Sequence, residues 1–182
     1  MIAARFGTVR GLVRLLLSHA ELAVGRGGVR PGDPRAVRRL VFLCHGNICR
    51  SAFADVIARR AGLSVASFGL STDHGKPAHG PAIEAALRLG HDMSAHRATA
   101  LPHYEPREGD LLLAMETRQL RRIAADPRLR HLPRSLLGLY VRPVMPHLHD
   151  PYSLSDAYMD ACLARIETAV PVLRAAFPNA RA

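Results

Sequence analysis

Short apolar runs that alternate with helical patterns constrain the fold of this chain most strongly. Apolar runs predict strands at residues 40–44, 110–115 and 136–141, and an alternating pattern predicts one at 63–69. Apolar residues at helical spacing predict three intervening helices, at residues 51–61, 81–89 and 117–125. The alternation predicts an α/β fold, with a four-stranded parallel sheet and helices on both faces. Ligands of such sheets bind beyond the carboxyl ends of the strands.

A closing helix is predicted from Ser155 onward. Its apolar stripe consists of Tyr158, Cys162, Ile166, Ala169, Leu173 and Phe177. Pro171 lies inside this stripe, and a proline cannot continue an uninterrupted helix. The sequence therefore predicts a kink or a restart there.

The first 38 residues differ in composition from the rest. Residues 1–40 carry eight arginines but only two acidic side chains. Helical spacing places Arg10 and Arg14 opposite an apolar face formed by Val9, Leu12, Val13, Leu16, Ala20 and Ala23. A linker rich in Gly and Pro follows at residues 24–35. We predict a basic amphipathic arm with its linker over 1–38 and a single domain over 39–182.

Three placements of this arm remain open: packing on the domain, docking on a partner, or lying on an anionic membrane surface. The chain has a formal net charge of +10, which suits anionic partners in general. Nucleic acid is the least favoured of them, because single-strand readers interleave aromatic and basic residues. The arm contains Phe6 as its one aromatic residue.

Cysteine content and hydropathy indicate the compartment. Three cysteines cannot form the disulfide framework of a small secreted protein, so we expect a reducing, cytoplasmic location. The sequence contains no uninterrupted apolar run of about 18 residues, so we expect no transmembrane helix.

The stretch VFLCHGNICRSAF, residues 41–53, carries two of the three cysteines. One interpretation is half of a zinc site, completed by His147 and His149. Zinc sites usually present a close cysteine pair and a second ligand pair. Here the spacing is C-x4-C, no second thiol pair follows, and the histidines lie among turn-forming prolines. The pattern therefore disfavours zinc.

A second interpretation uses every residue of the stretch around one nucleophile. Cys44 ends a strand, five residues turn, and Arg50 precedes a helix, so the amides of residues 45–49 can surround an oxyanion. The same field favours a thiolate at Cys44. Arg50 offers a planar fork of donors for two phosphate oxygens. Gly46 and Asn47 readily adopt the left-handed conformations that such a turn needs.

The CxGNxCRS pattern resembles the signature of the low-molecular-weight protein tyrosine phosphatases. A late HDPY motif, with Asp150 and Tyr152, resembles the same family's general-acid motif. The resemblance covers roughly residues 39–177 and implies a Rossmann-like, three-layer phosphotyrosine phosphatase I fold. It implies phosphotyrosine proteins as partners, with tyrosine kinases among them, and no metal or other cofactor.

The resemblance also implies a role for each site residue. Cys44 would attack phosphorus, Arg50 would bind phosphate, and Asp150 would act as general acid and then as base. The phosphate cradle and the substrate slot would be formed by His45, Gly46, Asn47, Ile48, Cys49 and Tyr152. Three residues would support the loop: Ser51 through a hydrogen bond to the Cys44 sulfur, and Ser67 and His96 through the network that holds Asn47.

Several positions depart from the family's pattern. His45 replaces a small or aliphatic residue, and Ala52 stands where a proline is usual. The aromatic residue that walls the phosphotyrosine slot should fall near Asp73 or His74, and neither replaces it well. We therefore expect an intact catalytic core with an altered substrate groove.

Three rival functions are open. Arsenate reductases of the same fold need a further cysteine pair, whereas this chain has only Cys162, on the predicted apolar stripe. Phosphoarginine phosphatases usually carry Thr at the position of Ile48. The third rival is a non-catalytic module that binds phosphate or nucleic acid. Cys49 also has two interpretations, a redox guard that forms a disulfide with Cys44, or a small buried residue.

Overall fold

A four-stranded parallel sheet forms the centre of the computed structural model, which describes residues 2–182. The strand order is β2-β1-β3-β4, and every adjacent pair is parallel. The strands are β1 (Arg39–Cys44), β2 (Val65–Gly69), β3 (Asp110–Ala114) and β4 (Arg134–Leu136). This architecture confirms the predicted α/β fold.

The fourth strand differs from its prediction. The apolar run 136–141 is not a strand: β4 ends at Leu136, and a 3-10 turn follows at Leu137–Leu139. The turn is buried like a strand, since Leu136 packs in one core cluster and Leu137 in the other. An apolar run alone cannot distinguish a buried strand from such a turn.

Seven helices are present among the described residues. They are α1 (Ile2–Phe6), α2 (Val9–Ala23), α3 (Arg50–Arg60), α4 (Gly80–Arg88), α5 (Thr117–Ala125), α6 (Asp156–Glu167) and α7 (Ala169–Ala176). The predicted bounds hold to within one or two residues. The predicted last helix restarts before Pro171: α6 ends at Glu167 and α7 begins at Ala169.

Alternate residues of the central strands point to two separate cores. Leu40 and Phe42 of β1 pack with α3, α4, α6 and α7, whereas Val41 and Leu43 pack with α5. Helices therefore cover both faces of the sheet, as predicted.

The N-terminal arm packs on the domain in an unexpected orientation. The buried side of α2 consists of Gly11, Leu15 and Ser18, while Val9 and Leu16 of the predicted apolar face are 68% and 61% exposed. The sequence predicts Arg10 and Arg14 opposite the apolar face of α2. In the structure the buried residues lie opposite that face, and the two arginines lie along its edge. The division at residue 38 stays a prediction.

No helix within residues 2–182 combines the length and the apolarity that crossing a bilayer requires.

Candidate active site

The turn between β1 and α3 is held by a network around Asn47. Asn47 has φ of 51°, a left-handed conformation. Its side chain donates to Ser51 Oγ (2.9 Å) and accepts from the Thr99 amide (2.9 Å). Its carbonyl oxygen accepts from His96 Nε2 (2.9 Å). The loop therefore holds its shape through contacts with residues about 50 positions away along the chain.

The structure places the predicted supporting residues unequally. Ser51 and His96 join this network, and His96 Nε2 donates because its partner is a carbonyl oxygen. Burial lowers the pKa of His96. Ser67 is buried on β2, but no hydrogen bond joins its side chain to Asn47 within residues 2–182. The Thr99 amide fills the position that sequence reasoning gave to Ser67. Every residue except proline has a backbone N–H group, so the sequence does not indicate which of them binds Asn47.

The Cys44 sulfur lies at a cavity of about 480 Å³. Ser51 Oγ is 3.0 Å from Sγ, and the Asn47 amide donates to Sγ over 3.2 Å. Both donors stabilise a thiolate. Cys44 is buried, so the open side of the sulfur faces the cavity, where a substrate can approach.

Arg50 is completely buried and only partly paired. Nη1 donates to Glu116 Oε1 (2.8 Å) and to the Leu148 carbonyl (2.7 Å). Nη2 forms an ion pair with Asp150 Oδ2 at 2.6 Å. Within residues 2–182, Nε has no hydrogen-bond acceptor, and Nη2 has no partner besides Asp150. A buried guanidinium with unused donors is costly unless an anion binds there.

Glu116 is a buried partner of Arg50 that the sequence prediction lacked. Burial alone would raise the pKa of this carboxyl, but Arg50 and Arg118 outweigh it and lower the pKa to about 2. Glu116 is therefore ionised and fixes the guanidinium from behind. A signal for it existed: Glu116 follows the carboxyl end of β3, next to β1 in the sheet.

Asp150 and Tyr152 lie beside the same cavity. The Asp150 side chain is 31% exposed and reaches Arg50 from the loop before α6. The Tyr152 ring is half exposed and packs on His79 with the ring centroids 4.8 Å apart. This brings together the three predicted catalytic residues, Cys44, Arg50 and Asp150, from two distant parts of the chain.

The predicted binding residues also reach the cavity, with one exception. His45, Gly46, Ile48 and Cys49 line it with Tyr152, whereas Asn47 is fully buried behind the loop. The remaining lining is polar: Ser71, Thr72, Asp73 and Lys76. His74 stacks on His103 instead, with the centroids 4.1 Å apart.

All three cysteines are free thiols. Burial raises the pKa of the Cys49 thiol, and it raises that of Cys162 to about 12. Cys49 lines the cavity beside Cys44, whereas Cys162 belongs to the core. Over residues 2–182, no three ligand-type side chains are grouped to hold a metal ion.

Comparison with known proteins gives a consistent result. The family described as low molecular weight phosphotyrosine protein phosphatase matches residues 39–181. A probable low molecular weight protein-tyrosine-phosphatase, EpsP of Ralstonia solanacearum, is 38% identical over 91 residues, which span 49% of this chain and 63% of EpsP. The low molecular weight protein-tyrosine-phosphatase Ptp of Acinetobacter johnsonii is 30% identical, over 73% of this chain and 93% of Ptp.

Solved structures agree at the level of the fold. The crystal structure of the tyrosine phosphatase AmsI of Erwinia amylovora superposes with a TM-score of 0.66 at 25% identity. The superposition covers 78% of this chain and 93% of AmsI. The family match, residues 39–181, contains β1, the loop after it and the loop before α6.

Proposed function

The chain belongs to the low molecular weight phosphotyrosine protein phosphatase family, and on that premise we propose that it hydrolyses phosphotyrosine in proteins through a phosphocysteine intermediate. The observation that carries the proposal is the surroundings of Arg50. This buried cation has an Nε without an acceptor and an Nη2 paired only with Asp150, beside the cavity that the Cys44 thiol and the Asp150 carboxyl line. A tetrahedral phosphate monoester supplies the missing acceptors.

The first step is transfer of the phosphoryl group to sulfur. The Cys44 thiolate attacks phosphorus, an S–P bond forms, and the bond between phosphorus and the phenolic oxygen breaks. Arg50 and the amides of the loop bind the equatorial oxygens as charge spreads over them. Asp150, protonated at this stage, gives its proton to the departing phenolate.

The second step returns the enzyme to its starting state. Asp150, now a carboxylate, takes a proton from a water molecule that attacks the phosphocysteine. The P–S bond breaks, inorganic phosphate leaves, and Cys44 is again a thiolate. Ser51, 3.0 Å from the sulfur, stabilises that thiolate as the leaving group.

Two features favour phosphotyrosine over the rivals of the same fold. Ile48 lines the cavity at the position where the sequence resemblance places Thr in phosphoarginine phosphatases, and Tyr152 offers an aromatic side wall. An arsenate reductase needs a further accessible thiol pair, but Cys162 is buried in the core. The groove opposite Tyr152 is polar, so we expect side chains beside the phosphotyrosine to contribute to selection.

The partners and the location follow from the same chemistry. We propose phosphotyrosine proteins as substrates, autophosphorylated tyrosine kinases among them. A catalytic thiolate requires a reducing compartment, which supports a cytoplasmic location. We also propose that α2 contacts an anionic membrane surface, because its exposed face is apolar and basic residues line its edge.

Three variants test the phosphatase proposal in the full chain, with tyrosine-phosphorylated peptide and aryl phosphates as substrates. Cys44→Ser should reduce turnover to background. Asp150→Ala should lower kcat/KM, which reports phosphoryl transfer to Cys44, by about 10²- to 10⁴-fold for substrates with poor leaving groups, and far less for those with good leaving groups. The matched control is Asp156→Ala, an exposed aspartate on α6, which should retain wild-type rates. Unchanged turnover by Cys44→Ser would overturn the proposal.

A further inference from the structure

The N-terminal arm contacts the loop that carries Asp150. Thr8 Oγ1 lies 3.1 Å from His149 Nε2, and His149 immediately precedes Asp150. Thr8 is also the N-cap of α2, because its hydroxyl oxygen accepts from the Gly11 amide over 2.9 Å. Since the cap uses only a lone pair, the hydroxyl proton remains free for donation to His149.

Two glycines let the arm approach the His149 ring closely. At Gly7, with φ of +78°, an added Cβ would lie 2.9 Å from His149 Cδ2 and 2.7 Å from Tyr158 Cε1. At Gly11 an added Cβ would lie 3.0 Å from the same ring atom. Any larger residue at either position would push the imidazole or the arm away.

The opposite side of the loop is tied to the domain. Tyr158 of α6 donates its hydroxyl to the His149 carbonyl (3.2 Å), and the Leu148 carbonyl accepts from Arg50 (2.7 Å). The backbone just before Asp150 is thus fixed by α6 and Arg50, while the His149 side chain is fixed by the arm. Asp150 itself is partly exposed, so its direction depends on this backbone.

From these contacts we infer that Thr8 is a positioning residue for catalysis: through His149 it holds the loop in the orientation that directs Asp150 toward the cavity. The arm precedes the segment that matches the family, residues 39–181. The catalytic loop of this chain therefore depends on an element outside the family's shared domain. The inference rests on the proposed role of Asp150 as the general acid.

The test compares Thr8→Val, which keeps the shape and removes the hydroxyl, with Thr8→Ser, which restores it. Thr8→Val should lower kcat/KM, which reports phosphoryl transfer to Cys44, about tenfold on an aryl phosphate with a poor leaving group and leave kcat/KM for a good leaving group nearly unchanged. Competitive inhibition by inorganic phosphate should stay the same, because Arg50 and the loop amides, which bind phosphate, are unchanged. Thr8→Ser should recover most of the loss.

The control variant is Glu21→Gln, which loosens the arm at a different place. Glu21 pairs with Arg121 of α5, away from the His149 loop. We expect wild-type kcat/KM for both leaving groups. An equal loss in Glu21→Gln would mean that general loosening of the arm lowers the rate, and it would overturn the role of Thr8.

A double-mutant cycle separates this role from the helix cap. In the His149→Phe background, Thr8→Val should cause no further loss of kcat/KM for the poor leaving group. Additive losses would mean that Thr8 acts through α2 alone, and they would overturn the inference. If Asp150→Ala shows no dependence on the leaving group, the proposed function fails first. If Asp150→Ala behaves as expected and Thr8→Val matches wild type, only the present inference fails.

Discussion

Arg50 is the residue on which most of the site's electrostatics depend. Burial lowers the pKa of its guanidinium, but the carboxylates of Asp150 and Glu116 and the Cys44 sulfur outweigh that effect and raise it. The cation is retained in the interior because partners on two sides compensate its desolvation. Glu116 takes no part in the proposed chemistry, yet it fixes the orientation of the phosphate-binding donors.

Glu116→Gln tests that positioning role. The amide keeps the size of the side chain but removes the charge that faces Arg50. Breaking a buried ion pair on one side costs about 3 kcal/mol, so the free energy of unfolding should fall by about that amount. KM for aryl phosphates should rise as Arg50 loses its fixed direction. Urea titration and steady-state kinetics measure the two effects.

A matched control for this variant is Glu108→Gln. Glu108 is exposed and has no ion pair within residues 2–182. Its replacement should change stability by less than about 0.5 kcal/mol. If Glu116→Gln changed the unfolding free energy and KM as little as Glu108→Gln does, the orientation of Arg50 would not depend on Glu116.

At the scale of the element, α2 is an amphipathic helix whose apolar face points to solvent and not to the domain. Its small residues face the domain, and its apolar residues Val9, Val13 and Leu16 face solvent. At 3.6 residues per turn these three side chains form one stripe, with Arg10 and Arg14 along an edge. A second copy of the chain would bring two such basic edges together. Anionic lipid instead complements both the stripe and its edge.

Vesicle sedimentation tests this surface. The full chain should bind vesicles that contain phosphatidylglycerol more tightly than vesicles of phosphatidylcholine alone, and added salt should weaken binding. Replacing Val13 and Leu16 together by Ser should reduce partitioning about tenfold or more, since two apolar side chains are lost. The control is Leu87→Ser, a single replacement of an exposed apolar residue on α4. Equal binding to neutral vesicles, or retained binding by the double variant, would contradict membrane contact.

For the whole molecule, buried histidines make stability depend on pH. Burial lowers the pKa of His147, Glu116 opposes this, and the charges of His149, Arg50 and Arg118 add to it, so that the pKa is about 4. The unfolded chain titrates near 6.5, so between these values the unfolded state binds more protons than the folded state. Stability is then fully present above about pH 6.5 and falls as the pH decreases toward 4.

The expected size of this loss follows from the shift. A fall from 6.5 to about 4 corresponds to about 3 kcal/mol of unfolding free energy. His147→Gln should flatten the decline in the urea midpoint between pH 6.5 and 4. The exposed His19→Gln serves as the comparison and should keep the wild-type slope. A wild-type slope in His147→Gln would contradict burial of a neutral imidazole.

Much of the fold and the site could be predicted, because their signals are local. In the stretch from Val41 to Phe53, an apolar run specifies the strand, the Gly-Asn pair specifies the turn, and helical spacing of apolar residues specifies the helix. Pro171 similarly marks the restart of the last helix. The prediction for the run 136–141 was wrong because a buried 3-10 turn is as apolar as a buried strand, and only the tertiary packing distinguishes them.

The sequence by itself determined the family, the parallel sheet and the sulfur–guanidinium pair of Cys44 and Arg50, because a few consecutive residues encode each of them. Only the tertiary structure decided which distant groups complete the site. Glu116, Thr99 and Thr8 come from other elements, and their contacts depend on how those elements pack. Chain order records local geometry, whereas burial and charge pairing depend on neighbours in space.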